Sequence, residues 1–272
     1  MTETQTTALS DSQLAAHLAT LAGDALLALR GGGLTGQDLR DAGDRTAHGI
    51  LVEQLAHARP WDAVLSEEAA DDPARLTADR VWIVDPLDGT REYSEPERSD
   101  WAVHVALWER GILMAGAVAR PALGIVHSTD SPLAEEPGTH DRIRLAVSRT
   151  RPPGFVTTLA ASLDAELVPL GSAGVKAMSV VTGESDAYVH AGGQFEWDSA
   201  APVAVAAAAG LHTSRLDGTP LEYNQPNPYL PDLIICRPDV LDRLRACLEQ
   251  VATKSPSPIA TGAESPLPQC PS

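Results

Sequence analysis

Residues 81–92 read VWIVDPLDGTRE. Val81–Val84 is an apolar run of strand character, and it gives way to a turn that carries two aspartates, Asp85 and Asp88. Pro86 fixes its own φ and Gly89 lets the backbone fold tightly. Such a turn aims two carboxylates and the Leu87 carbonyl at one point, an oxygen-only ligand set of the kind that hard cations such as Mg²⁺ prefer. Thr90 adds a hydroxyl at the same turn. Leu-Asp-Gly-Thr occurs again at Leu216–Thr219, but Arg215 precedes that copy and the first aspartate is missing. Asp-Gly is ordinary turn chemistry, so the second copy is expected to be a polar turn between strands.

Two further segments carry acids at comparable places. Ser66-Glu67-Glu68 ends the short apolar run Ala63-Val64-Leu65, and Glu196-Trp197-Asp198-Ser199-Ala200-Ala201 opens an alanine-rich helix. Taken singly, Glu67 and Glu68 read as surface acids and Asp198 as a residue favoured by the helix dipole. Strand carboxyl ends and helix starts are also where sites in α/β proteins gather. Phosphatases of the haloacid-dehalogenase type use strand-end aspartates too, but spaced D-x-D; the D-x-x-D spacing here does not fit them.

The chain has 272 residues, 43% of them hydrophobic and only 4% aromatic, so its core is mostly aliphatic and alanine. Thirty-seven acidic against 20 basic side chains leave a net charge of −17. With no basic tract, binding to a nucleic-acid polymer is not expected. The three cysteines form no CxxC or Cys/His metal pattern, and an odd count fits a reducing compartment. The opening MTETQTTALSDSQ lacks a signal-peptide pattern, and no stretch approaches the ~20 apolar residues of a membrane span. These features lead to the expectation of a cytoplasmic protein without a membrane partner.

The periodicity predicts a helix capped by Ser10 or Asp11, with Leu14, Leu18, Leu21 and Ala25 inward, and a second from about Leu39 to His57. Strands follow at 63–65 and 81–84, then a hairpin over 101–108 and 112–118 with a third strand at 124–127. Residues 131–140 read as a loop. From about Ile143 strands and helices alternate, with strands at 145–147, 167–170, 187–190 and 233–236 and helices at 176–181, 198–209 and 240–251. The expected organisation is an α+β subdomain over 1–144, an α/β subdomain over 145–251 and a flexible Pro/Ser-rich tail over 252–272.

DPLDGT at 85–90, the upstream Glu67-Glu68 and WDSAA at 197–201 together resemble the inositol monophosphatase superfamily of Mg²⁺-dependent, lithium-sensitive phosphatases. The resemblance covers roughly residues 10–250 and implies a layered αβαβα sandwich of the inositol monophosphatase / fructose-1,6-bisphosphatase type, and a homodimer. Within the superfamily, Arg91-Glu92-Tyr93, Ser148-Arg149 and Ser172-Ala173-Gly174-Val175-Lys176 look like the bacterial 3′-phosphoadenosine-5′-phosphate (PAP) phosphatases. Two details depart from the pattern. Pro202 follows WDSAA where Gly is common, and Asp41-Ala42-Gly43-Asp44 places an Asp in the early Thr-x-x-Asp element without its Thr.

The resemblance implies two to three Mg²⁺ ions held by Glu67, Asp85, the Leu87 carbonyl, Asp88 and Asp198. It also implies a phosphate held by these groups with Gly89 and Thr90, and Arg149 and Lys176 near the rest of the substrate. Thr90, hydrogen-bonded to Asp44, would activate the water; Glu67 is the alternative. Phosphate-monoester hydrolysis needs rate gains of up to ~10²¹, of which general acid–base catalysis supplies only ~10²–10⁴, so charge neutralisation must carry most of the load. Four carboxylates with no Lys among them call for cations. The implied activity is a 3′(2′),5′-bisphosphate nucleotidase that turns PAP into AMP in sulfate assimilation. PAPS and sugar or inositol phosphates are further candidate substrates. The alternatives are an inositol-1-phosphate or fructose-1,6-bisphosphate phosphatase, and a non-catalytic metal-binding homologue.

Overall fold

The apolar run that begins the DPLDGT stretch is the second strand of a five-stranded sheet. In a computed structural model, residues 9–131, 141–150 and 152–254 are described. The first sheet has the order β1 (Ala63–Ser66), β2 (Arg80–Asp88), β3 (Ala102–Glu109), β4 (Ile112–Arg120), β5 (Ile125–Ser128). Strand β1 runs parallel to β2, and each later neighbour is antiparallel. Both faces are buried. Alternation sends Trp82, Val84, Val103, Val105 and Leu107 to one side and Val81, Ile83, Ala102 and Ala106 to the other.

Helices α1 (Asp11–Gly31) and α2 (Gly36–Ala58) cover the first of these faces. Ser10 caps α1 by a reciprocal pair of bonds with Gln13, 3.2 Å to its N–H and 3.1 Å from Gln13 Oε1. The buried stripe of α1 is Leu14, Ala15, Leu18, Ala19, Ala22 and Leu26. The expected Leu21 and Ala25 are only half-buried. Small residues turn the helix this way, because they let it approach closely: a Cβ on Gly23 would lie 2.6 Å from Pro121 Cγ. In α2, Gly43 allows the same approach to Leu87 and Tyr93, where a Cβ would meet atoms at 3.0 and 2.9 Å.

The second sheet has the order β7 (Glu166–Leu170), β6 (Arg144–Ser148), β8 (Ala187–Phe195), β10 (Tyr229–Cys236), β9 (His212–Ser214), parallel across β7-β6-β8 and antiparallel beyond. Between the sheets lie α5 (Ala173–Val181) and α6 (Glu196–Ala208), following two earlier helices, α3 (Thr90–Ser94) and α4 (Gly154–Leu163). Helices α4 and α7 (Leu241–Lys254) close the far side. The layers are therefore α, β, α, β, α, as expected. Strands β2, β8 and β10 are longer than the apolar runs that announce them, because their ends carry polar residues. Helix α6 continues through Pro202, which cannot donate to the Asp198 carbonyl.

Of the tail expected at 252–272, residues 252–254 continue α7, and the rest lies outside the described residues, as does most of the 131–140 loop. The second Leu-Asp-Gly-Thr lies between β9 and β10 as a polar turn: Asp217 Oδ1 accepts the Thr219 N–H at 2.9 Å, and Gly218 has φ +86°. Among the described residues no helix is long and apolar enough to cross a membrane.

Strand β4 meets α6 at Gly116, where a Cβ would lie 2.7 Å from Ala204 Cβ and 3.1 Å from the Ala201 carbonyl. Backbone cannot give way as a side-chain tip can. Gly116→Val should therefore lower the melting temperature by roughly 3–10 °C through overpacking. Gly49→Ala, on an open helical surface, should leave it level or raise it by a few degrees at most. Thermal unfolding of both variants checks this pair.

Candidate active site

Residues three apart on a regular strand point to opposite faces, yet Asp85 and Asp88 point to the same one. The cause is a register shift in β2: Asp85 pairs with His104 and Asp88 with Ala102, so three steps on β2 answer two on β3. Ligand atoms of Asp85, Asp88 and His104 all fall within 4.8 Å of one another, and all three residues are buried. The turn is tied internally by the Leu87 N–H, which donates to Asp85 Oδ1 at 3.0 Å. Gly89 completes it at φ +86°, packed so tightly that a Cβ would lie 2.9 Å from Ser172 Cβ.

Asp88 is anchored to the first turn of α5. Its Oδ1 accepts the Ala173 N–H at 3.1 Å and its Oδ2 accepts the Gly174 N–H at 2.7 Å. His104 Nε2 also lies 3.1 Å from Oδ2. Burial alone would raise the Asp88 pKa, but His104, Lys176 and the Gly174 N–H outweigh it and hold the carboxyl below its ordinary range. His104 Nδ1 faces the Trp197 carbonyl at 3.1 Å; a carbonyl only accepts, so the proton of this contact belongs to Nδ1. His104 thus joins β3 to the start of α6. Gly174 makes room for it, since a Cβ there would sit 2.0 Å from Nε2.

Asp198, half-buried at the third position of α6, accepts the Phe195 N–H at 2.6 Å, so it caps the helix as well as facing the cluster. Burial, then the charge of Asp88, pushes its pKa up to about 7. Glu67 follows β1 and is hydrogen-bonded to Asp85. It keeps a face in solvent although protein crowds round its carboxyl. That crowding, then repulsion from Asp198 and Glu68, pushes it up to about 8. Asp85 is raised well above its ordinary value by burial and by Glu67, Asp88 and Asp198. The four acids from three segments therefore share one electrostatic neighbourhood.

Other expected residues fall in less expected places. Thr90 Oγ1 donates to the Leu87 carbonyl at 3.1 Å, not to Asp44. Asp44 stands beside Glu68, half-buried on α2, with its pKa pushed up to about 7 by burial and the neighbouring acids Glu68 and Asp41. Arg149 is locked to Glu92 at 2.8 Å and Glu95 at 3.1 Å. Lys176 is only 5% exposed; its Nζ donates to the carbonyls of Gly171 and Ser172 at 2.6 and 2.8 Å. Its charge nevertheless reaches Asp88 and Asp198, which corrects the expectation that no Lys stands among the acids. Glu196 is absorbed in structure, bonded to the N–H groups of Asn224 and Gln225.

Sequence reasoning missed His104 and Asp100. Asp100 accepts the Gly171 N–H at 2.7 Å through its side chain and the Ser172 N–H at 3.1 Å through its carbonyl, so it holds the loop that leads into α5. A signal for His104 existed: it interrupts the otherwise apolar run AVHVALW. Nothing local marks Asp100, whose partners lie far along the chain.

The donor set fits hard divalent cations. Glu67, Asp85, Asp88, Asp198 and the Leu87 carbonyl offer oxygen, and burial together with repulsion between neighbouring acids raises the pKa values of three of them. Because these pKa values are raised in the fold, the protonated acids stabilise it below the ordinary carboxyl range, and that contribution is lost as pH rises through about 7 and 8. Metal-free protein should therefore melt at a lower temperature at pH about 8.5 than at about 6, and Mg²⁺ should stabilise it more at the higher pH, where ions need displace fewer protons. Melting curves with EDTA and with Mg²⁺ test this; a melting temperature indifferent to Mg²⁺ at both values would exclude a cation site.

The chain is similar to known proteins along most of its length. A PAP phosphatase, "3'-phosphoadenosine 5'-phosphate phosphatase", of Mycobacterium leprae is 51% identical over 257 residues, 89% of this chain and 95% of the relative. The "3'(2'),5'-bisphosphate nucleotidase CysQ" of Escherichia coli K12 is 33% identical over 70% of this chain and 81% of its own. Among solved structures, CysQ from Bacteroides thetaiotaomicron, described as a bacterial member of the inositol monophosphatase family, superposes with a TM-score of 0.71 at 26% identity, covering 82% of this chain and 96% of that one. The inositol monophosphatase family as a whole matches over residues 5–252, and to that family this chain belongs.

Proposed function

We propose that this chain is a Mg²⁺-dependent 3′(2′),5′-bisphosphate nucleotidase that removes the 3′-phosphate of PAP, giving AMP and phosphate, in the cytoplasm and in the service of sulfate assimilation. The observation that carries the chemistry is the convergence of Glu67, Asp85, Asp88 and Asp198 with three of their pKa values driven upward. The substrate rests on the similarity to PAP phosphatases at 51% identity across nearly the whole chain.

Glu67, Asp85 and the Leu87 carbonyl would hold one ion, and Asp85, Asp88 and Asp198 a second; Glu67 would also serve a third. When bound, the ions supply a water of lowered pKa and neutralise charge on the departing oxygen. The N–H of Thr90, in the first turn of α3 where helix geometry leaves such groups without intrahelical partners, donates to a phosphate oxygen, with the Gly89 N–H beside it. The Thr90 hydroxyl proton is committed to the Leu87 carbonyl. This favours Glu67 over an Asp44–Thr90 dyad as the group that takes the proton of the attacking water. Arg149 shapes the wall beyond Thr90 through Glu92, and Lys176 holds the Gly171–Ser172 carbonyls in place. The working form is a homodimer, which sedimentation tests.

The deciding measurement is phosphate release from PAP, PAPS, inositol-1-phosphate, fructose-1,6-bisphosphate and AMP with Mg²⁺, with and without Li⁺. PAP should be the preferred substrate and Li⁺ should inhibit. Preference for an inositol or sugar phosphate would overturn the substrate, and no metal-dependent release from any of them would favour the non-catalytic alternative. Asp88→Asn should lower turnover by at least ~10²-fold at saturating Mg²⁺ while the far-UV circular dichroism stays unchanged. Near-normal turnover would remove Asp88 from the ligand set.

A further inference from the structure

Beside the carboxylates a cleft of ≈ 350 Å³ is lined by residues 89–92 with Ser148, Thr150 and Gly171. It begins at Gly89 and Thr90, so a substrate with one phosphate at the acids extends its remaining atoms into it. In a chain of net charge −17, a second phosphate placed there needs a cation to offset repulsion from the surrounding acids.

Three basic side chains stand near enough to be considered, and two are already committed. Arg149 is neutralised by Glu92 and Glu95 through its Nη2. Lys176 is buried, with Nζ directed at two backbone carbonyls. Arg91 is different. It lines the cleft, it is exposed, and among the described residues its side chain has no hydrogen bond or ion pair. The acid next to it in sequence, Glu92, is buried and turned to Arg149, so it does not quench Arg91. The network that neutralises Arg149 is thus what leaves Arg91 free.

We propose that Arg91 binds the phosphate that is not hydrolysed, and so makes the site prefer bisphosphorylated substrates over monophosphates that carry the same scissile group. The guanidinium fork suits a bidentate pair with phosphate oxygens, and Thr150 brings a hydroxyl donor to the same cleft. The proposal rests on the bisphosphate reading above and adds to it the residue that recognises the second phosphate.

The test compares PAP with 3′-AMP, which keeps the 3′-phosphate but has a hydroxyl at the 5′ position, using the Mg²⁺-loaded full-length protein. Arg91→Gln should lower kcat/KM for PAP roughly 10–100-fold, mostly through KM, and leave 3′-AMP within about 2-fold. Arg91→Lys should fall between, because the charge remains and the fork is lost. Inhibition by AMP, which retains the 5′-phosphate, should weaken in Arg91→Gln while inhibition by adenosine stays the same. Equal losses on PAP and 3′-AMP, or no loss on PAP, would overturn the assignment of Arg91 while leaving the nucleotidase reading intact. A wild-type protein that releases phosphate from neither nucleotide would overturn that reading, and this one with it.

Discussion

The site depends first on how one carboxylate is held. Asp88 comes from the end of a strand in the first sheet, and its two oxygens accept N–H groups from the opening turn of a helix that lies between the sheets. This interaction joins sequence positions more than eighty residues apart. It also keeps Asp88 ionised where its neighbours are pushed toward neutrality. A fixed anion is thereby placed at the centre, and Asp85, Glu67 and Asp198 are arranged around it. His104 and Gly174 belong to the same joint: the first fills the space beside Oδ2 and reaches the Trp197 carbonyl, and the second is small enough to let it.

Gathering like charges costs stability, and the fold offsets part of that cost with its own positive ends. Helix α5 directs N–H groups at Asp88, helix α6 begins with Asp198 in its first turn, and buried Lys176 contributes charge from behind. None of these neutralises Asp85 or Glu67. The remaining imbalance suits the site to cations, which would bring positive charge to a phosphoryl group beside them. Affinity for metal and affinity for phosphate thus have one electrostatic origin.

Much of this was legible in the chain and some was not, for physical reasons. The strands and helices followed from hydrophobic period, because buried strands of the first sheet are apolar on both faces and say so locally, whereas their layering followed from the resemblance. Asp85, Asp88, Glu67 and Asp198 were legible because each ends a strand or opens a helix. The rotation of α1 away from Leu21 and Ala25 was not, since it depends on Gly23 meeting Pro121. The expected Thr90–Asp44 bond was not one the sequence could settle, because in the fold the Thr90 hydroxyl donates to the Leu87 carbonyl three residues back. Lys176 read as a residue near the substrate, and only the fold shows that its ammonium is turned inward to the Gly171 and Ser172 carbonyls.

The middle helices carry one more consequence. Residues of α5 and α6 share a single apolar cluster with Val81, Ile83 and Val118 of the first sheet and Tyr188, Leu233 and Ile235 of the second. The boundary near residue 144 is therefore one of topology and not of stability. A fragment cut there would strip the first sheet of the layer that seals one face and would leave Asp88 without its helix. The two halves are interdependent, and the four acids come together only once both are in place.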